Sequence, residues 1–442
     1  MLFSSIVGIS GLILLRDEPP IDDSFLRLAP LPSVAPSESV YQGFVELAAQ
    51  LPEPPNWSQQ LSDWHAAQAN AGQRSSSRRR RARDRSRNQF LRSDWIESGT
   101  FDQVTIYLDL HRSTLDQLQE ISQRKAMGLP LLPEAGPGTP DTKVTQLWFA
   151  RVQSSRIKGR GLEASRDLEA LHTMVELHLE SSRNLLDFHV ALSRLQKAWS
   201  LLDRLVAEGQ LDTASETRWL ERYSVLAGRS TQFRRAIAGE YQSVVGNENG
   251  ALSLAEWKEE IGIVGMFVKE NRTRRRLFDH YRESVIEQQT PPYQRTTTAK
   301  PTPAFLEKIR DKLDMGSVWL SMVKLQLKRS VLQVDFSQLS ERGARLCLLL
   351  RKFERITGRL PENLKEILEP LGLRVDAITD PYSGEPFRFD RTRRLIWSLG
   401  VNLSDEGARE FDPSDLVKNG GSGIRRPQLQ QEDIFWYLHP PE

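Results

Sequence analysis

Leu185, Phe188, Leu192, Leu195, Trp199, Leu202 and Val206 recur at alternating steps of three and four residues. Only an α-helix places such a series on one side, so this stretch must be helical and must bury that side against something. The pattern reads as part of one long helix from about Leu162 to Glu208, closed by Gly209 in a left-handed C-cap. Thr213 with Glu216 fits a capping box that opens the next helix, whose stripe is Trp219, Tyr223 and Leu226 before Gly228. Ser253 with Glu256 fits a second capping box. Ser39 to Leu51 reads as a short amphipathic helix, and Leu306 to Lys328 and Leu339 to Ile356 as two further ones. Antiparallel packing of such helices through short loops is the expected arrangement, and the fold class is mainly α.

Breakers divide the chain. Met1 to Leu15 is uncharged and mainly apolar or small, and stops at Arg16. It falls short of the about 20 apolar residues of a full span. It is read as a signal-anchor in preference to a buried terminal helix or strand, which gives an N-terminal apolar anchor over 1–16 and the membrane as a partner. Residues 17–60 are Pro-rich, 61–141 form a helical region, 142–357 the multi-helix body and 358–442 a small α+β cap. Gly128 to Pro140 and Thr290 to Pro303 are loops by composition. In the cap, Glu362 to Leu368 reads as a short helix. Asp380 to Pro386 is a dense turn cluster. Phe387-Arg388-Phe389 and Leu395-Ile396-Trp397 read as a hairpin, and Glu432 to Leu438 as a last strand.

Charge excludes some functions. Lys and Arg number 60 against 58 Asp and Glu, a net charge of +2 over 442 residues, so nucleic-acid binding by the whole protein is not implied. The local exception is Arg74 to Arg92, nine arginines opposed only by Asp84. Such a block reads first as a solvated helix or loop. Its functional alternative is polyanion contact through Arg78, Arg79, Arg80, Arg81 and Arg83. From Arg78 to Arg87 no aromatic residue interleaves the arginines, and one aromatic, Phe90, precedes Arg92, so a base-stacking platform is unsupported.

Chemistry-bearing constellations are sparse. Glu169-Ala170-Leu171-His172 is half of a di-iron helix motif, without a second copy, and reads as a surface or half-buried helix pair. Asn247 to Glu256 resembles the back of an EF-hand loop, but Val245 would stand at the first ligand position and cannot coordinate. The single cysteine, Cys347, sits in an apolar run and reads as a buried, inert thiol. Nucleophile-elbow, zincin, P-loop and dinucleotide signatures are absent from the sequence. An enzyme would need a site assembled in space between body and cap.

One resemblance adds to this. The series runs from Phe353-Glu354-Arg355-Ile356-Thr357-Gly358-Arg359-Leu360-Pro361 to Asp380-Pro381-Tyr382-Ser383-Gly384-Glu385-Pro386-Phe387-Arg388-Phe389. It continues with Trp397-Ser398-Leu399-Gly400-Val401-Asn402 and Glu432-Asp433-Ile434. In this order it resembles the C-terminal half of type II secretion major pseudopilins. The whole layout is similar to a group of planctomycete- and verrucomicrobia-type membrane-anchored envelope proteins. Met1 to Leu15 lacks the prepilin cleavage motif and its glutamate. The resemblance implies a helix leading into a small sheet, a body outside the cytoplasm, and a loop that binds calcium. Carried onto this chain, the calcium ligands would be Asn402, Asp405, Glu432 and Asp433, residue types that also serve tight turns by bonding their own backbone. The function expected is a membrane-anchored envelope protein with a structural or interaction role and a protein partner that the sequence does not name. Hydrolase-like catalysis between body and cap and polyanion binding by the arginine run are the alternatives.

Overall fold

The computed structural model describes residues 22, 24–26, 35–52, 100–124, 126–127, 140–225, 229–245, 270–295, 316–400, 403, 405 and 434–438. The apolar segment 1–15, the arginine run 74–92, the EF-hand-like stretch 247–256, and Asn402, Glu432 and Asp433 lie outside them. Among the described residues no helix is long and apolar enough to cross a membrane.

The described chain is mainly helical. In order the helices are α1 (Val40–Gln50), α2 (Thr100–Leu110), α3 (Arg112–Ile121), α4 (Pro140–Ile157), α5 (Gly161–Ser181), α6 (Leu185–Ala207), α7 (Thr213–Val225), α8 (Ser230–Val245), α9 (Glu270–Gln289) and α10 (Gly316–Thr357). Three short strands follow: β1 (Arg388–Asp390), β2 (Leu395–Ser398) and β3 (Ile434–Tyr437). α1 starts where expected, because the Ser39 hydroxyl accepts from the Gln42 amide at 3.1 Å and Val40, Phe44 and Leu47 fall on one buried face. α4, α5 and α6 pack in succession; α6 and α9 pack on α10, and α8 on α9. One apolar core runs from Leu26 and α1 through this stack to Trp436 and Leu438.

Three expectations about the helices need correction. The stretch from Leu162 to Glu208 is two helices, not one. Ser182 and Asn184 turn to extended backbone, and the Asn184 Oδ1 accepts from the Asp187 amide at 2.8 Å, an N-cap that restarts the chain as α6. The turn also leaves room for α8 to cross. A Cβ on Gly239 would stand 1.6 Å from the Arg183 carbonyl oxygen, so only glycine permits that approach. Conversely, the two helices expected around Lys328 and Leu339 are one, α10. No glycine or proline intervenes, and Val331, Val334, Ser330 and Ser337 are all buried, so the inward face continues through the polar stretch. Finally, α7 is capped by Asp212, whose carboxylate accepts from the Ser215 amide at 2.8 Å. Glu216 does not reach back to a cap, because it is drawn to Arg351 and Arg355 of α10. Gly209 does close α6 with φ +66°, as its position implied.

The C-terminal elements follow the expected order. Gly358 ends α10 with φ +75°. The short helix expected over Glu362 to Leu368 is a 3-10 turn at Leu364–Ile367. The hairpin pairs Arg388 with Trp397 and Asp390 with Leu395, and β3 adds antiparallel on the far side of β2, from Leu395 opposite Tyr437 to Ser398 opposite Ile434. This sheet packs on α10 itself. Trp436 lies directly over Gly343, where a Cβ would come within 2.1 Å of the indole. Phe387 meets the same indole edge to face at 5.9 Å.

Candidate functional site

The turn cluster at Asp380 is a brace. Its carboxylate is buried and accepts four hydrogen bonds: from the Tyr382 amide at 3.0 Å, the Ser383 hydroxyl at 3.2 Å, the Ser398 hydroxyl at 2.8 Å and the Leu399 amide at 3.1 Å. One side chain thereby ties the turn to the end of β2, and Asp-Pro-Tyr-Ser-Gly-Glu-Pro has a structural reason at that spacing. Of the four residues to which the resemblance assigns calcium, only Asp405 is described. Its carboxylate accepts from the Trp397 indole at 3.2 Å and faces the Arg388 guanidinium at 3.4 Å. Among the described residues, no group of three or more His, Cys, Asp or Glu side chains stands where it could hold a metal ion.

Glu169 and His172 are both buried, not a surface pair. Glu169 accepts the Arg218 guanidinium (Nε to Oε2 3.0 Å, Nη2 to Oε1 3.1 Å) and the Ser165 hydroxyl. His172 sits in an aromatic box, 4.6 Å from the Trp199 ring and 5.5 Å from that of Trp219, and neither of its ring nitrogens has a hydrogen-bond partner. Burial pulls its pKa down to about 4, so the imidazole is neutral. Cys347 is buried and inert as expected, since burial pushes its thiol well above the ordinary range.

Several charged groups inside the body pair across helix interfaces, whereas both carboxylate oxygens of Asp203 are buried without a hydrogen-bond partner and burial pushes its pKa well up. Arg229, at the start of α8, donates to Glu176 of α5 at 2.8 Å and to Glu341 of α10 at 3.1 Å. Burial raises the Glu341 carboxyl to about 7 against the pull of Arg229. Burial also opposes ionisation of Glu176, but Arg229 prevails and its pKa is lowered. Asp335 of α10 takes Arg295, with Nη2 to Oδ1 at 2.7 Å. Near the end of α10 a cleft of about 230 Å³ is lined by Glu216, Arg351, Glu354 and Arg355. Its groups hold one another: Arg351 and Arg355 reach Glu216 at 2.7 and 2.8 Å, and Arg394 clasps Glu354 at 2.8 and 3.1 Å.

A second cleft, of about 210 Å³, opens between α2, α3, α4 and the start of α5. Arg151, Ser154 and Ser155 of α4, with Lys158 in the turn directly after it, fall at i, i+3, i+4 and i+7 and form one wall. Asp109, Arg112 and Asp116 stand opposite, and Arg160 and Glu163 close one end. Asp109 takes both Arg112 at 3.0 Å and Lys158 at 3.2 Å. The Arg112 hydrogen bond is the main cause that lowers its pKa, so it is an acceptor and not a proton donor near neutrality. Arg151 donates through Nη2 to Asp116 at 2.6 Å and through Nε to the buried Asp167 at 2.8 Å. Its Nη1 is buried and has no partner. The sequence reading passed over this polar stripe, although its helical spacing was a local signal that could have drawn attention to it. No family model matches the chain, and neither a curated protein nor a solved structure matches it.

Proposed function

We propose that this chain is a membrane-anchored envelope protein with a structural or interaction role, its helical body presenting surfaces to a protein partner and its pseudopilin-like cap closing one end. The observation that carries this reading is the way the interior charges are used. Arg229 with Glu176 and Glu341, Arg351 and Arg355 with Glu216, and Arg295 with Asp335 each tie α10 to another part of the body. Groups so matched fix the relative position of helices. The pseudopilin reading draws support from the order of parts: a long helix, a glycine stop, the Asp380 turn and an antiparallel sheet laid back on the same helix. The anchor rests on the apolar run Met1 to Leu15.

The test is affinity capture of the full chain from gently solubilised native membranes. The expected result is a stoichiometric envelope partner whose recovery falls when surface residues of the body are changed. Recovery of the chain alone, together with turnover of a hydrolase substrate panel, would overturn the reading.

A further inference from the structure

We propose that the cleft between α2, α3 and α4 is a binding site for a compact oxyanion of the phosphate-monoester class, gripped by Arg151 and Lys158. A helix face packed for stability alone would carry apolar residues here, because ion pairs taken from water are often no better than hydrophobic packing of the same volume. Instead α4 and the turn that ends it present the stripe Arg151, Ser154, Ser155 and Lys158 to the neighbouring helices and leave about 210 Å³ between them. That volume is below the range of about 300–1,000 Å³ that encloses whole drug-sized ligands, so it fits a head group or a small phosphate ester.

The charges are arranged asymmetrically. The cations are the more buried partners, with Arg151 19 % and Lys158 22 % exposed, while Asp109 and Asp116 are 48 % and 56 % exposed. The cations are thus held by the fold, and those two carboxylates can rotate into water. Ion pairs at such exposure contribute only about 0–1 kcal/mol, so an incoming phosphate that accepts shorter, charge-assisted bonds can displace them. Arg151 Nη2, freed when Asp116 turns away, is the guanidinium donor such a ligand would take. Asp167, buried behind Arg151 and paired to its Nε, holds the guanidinium in place when Asp116 leaves.

The test uses the full chain, its melting temperature followed against glycerol phosphate, with sodium chloride at matched ionic strength as reference. Saturable stabilisation is expected, because a ligand that binds only the folded state must stabilise it. Lys158→Gln leaves only a half-exposed carboxylate behind and should fold normally; Arg151→Gln tests the second contact. Each should weaken the apparent affinity about tenfold, the loss of one charge-assisted hydrogen bond. Arg391→Gln, at an exposed position in the hairpin loop, should leave it unchanged. Flotation with phosphatidic-acid vesicles, abolished by Lys158→Gln, would assign the phosphate to a lipid head group; saturation by glycerol phosphate without flotation would assign a free ester. No saturable shift in the wild type, or an equal shift in the Arg151 and Lys158 variants as binding to Arg74 to Arg92 would give, overturns the site.

Discussion

Replacing Gly343 by alanine puts one methyl group into the contact that holds the sheet on α10. Alanine is the better helix former by about 1 kcal/mol, so at an indifferent position Gly343→Ala would stabilise. Here the new Cβ would lie 2.1 Å from Cε2 and 2.3 Å from Cζ2 of Trp436, inside any permitted separation. The indole is buried and must move. A buried tryptophan hides about 150–250 Å², which at about 25 cal/mol per Å² is about 4–6 kcal/mol of burial at risk. Overpacking a core of this kind typically costs about 1–3 kcal/mol. A 2.1 Å approach puts the clash at the top of that range, about 3 kcal/mol, so less the propensity gain Gly343→Ala should destabilise by about 2 kcal/mol. In a Trp436→Ala background the clash is gone and the same substitution should stabilise by about 1 kcal/mol, a coupling of about 3 kcal/mol. Urea unfolding of the four proteins, with hydrogen exchange at 434–438, measures the cycle. If Gly343→Ala stabilises the wild type, the sheet does not dock as described.

His172→Phe should gain on the wild type as pH falls. The folded imidazole titrates near 4 and the unfolded one near 6.5, so the unfolded chain binds the extra proton and the wild type loses stability between those values. The relative gain should reach about 2 kcal/mol at pH 5 and vanish above pH 7 in thermal unfolding; Glu341, whose raised pKa has the opposite sign, is common to both proteins. Arg229→Met leaves Glu176 and Glu341 buried without their cation and should cost about 3–5 kcal/mol, read as a fall in the urea midpoint; a loss under about 1 kcal/mol would mean that solvent reaches the pair. Asp380→Ala strips the acceptor from two amides and two hydroxyls and should cost about 3 kcal/mol or more, with faster exchange at the Leu399 amide, whereas Asp380→Asn should cost less; equal stability of all three proteins would contradict the brace.

What could be read from the sequence was local. The stripe from Leu185 to Val206 predicts α6 because helical period is written in consecutive residues. The hairpin around Arg391 to Arg394 follows from two short apolar runs, Phe387-Arg388-Phe389 and Leu395-Ile396-Trp397, set either side of a polar stretch that opens with Asp390. The break before α6 shows in the sequence only as the polar stretch Glu180 to Asn184, which a solvated helix turn could equally carry; a single capping side chain, Asn184, decides the matter with the help of Gly239 from a distant helix. Likewise Glu216 has the spacing of a capping box, yet Arg351 and Arg355, more than a hundred residues away, claim its carboxylate. The Glu176–Arg229–Glu341 cluster draws one group from each of three segments, which no window along the chain can reveal. Asp380 announced a turn but not its second grip on β2.

The account depends most on the membrane anchorage of the full chain. Cells expressing it from its native start should be broken in low-salt buffer without detergent, and the membranes washed at high salt and then probed with protease on each face. The account predicts that the full-length chain stays with the membranes through the salt wash and that its body is cut only from the non-cytoplasmic side. Recovery of the intact chain in the soluble fraction after low-salt lysis would contradict it.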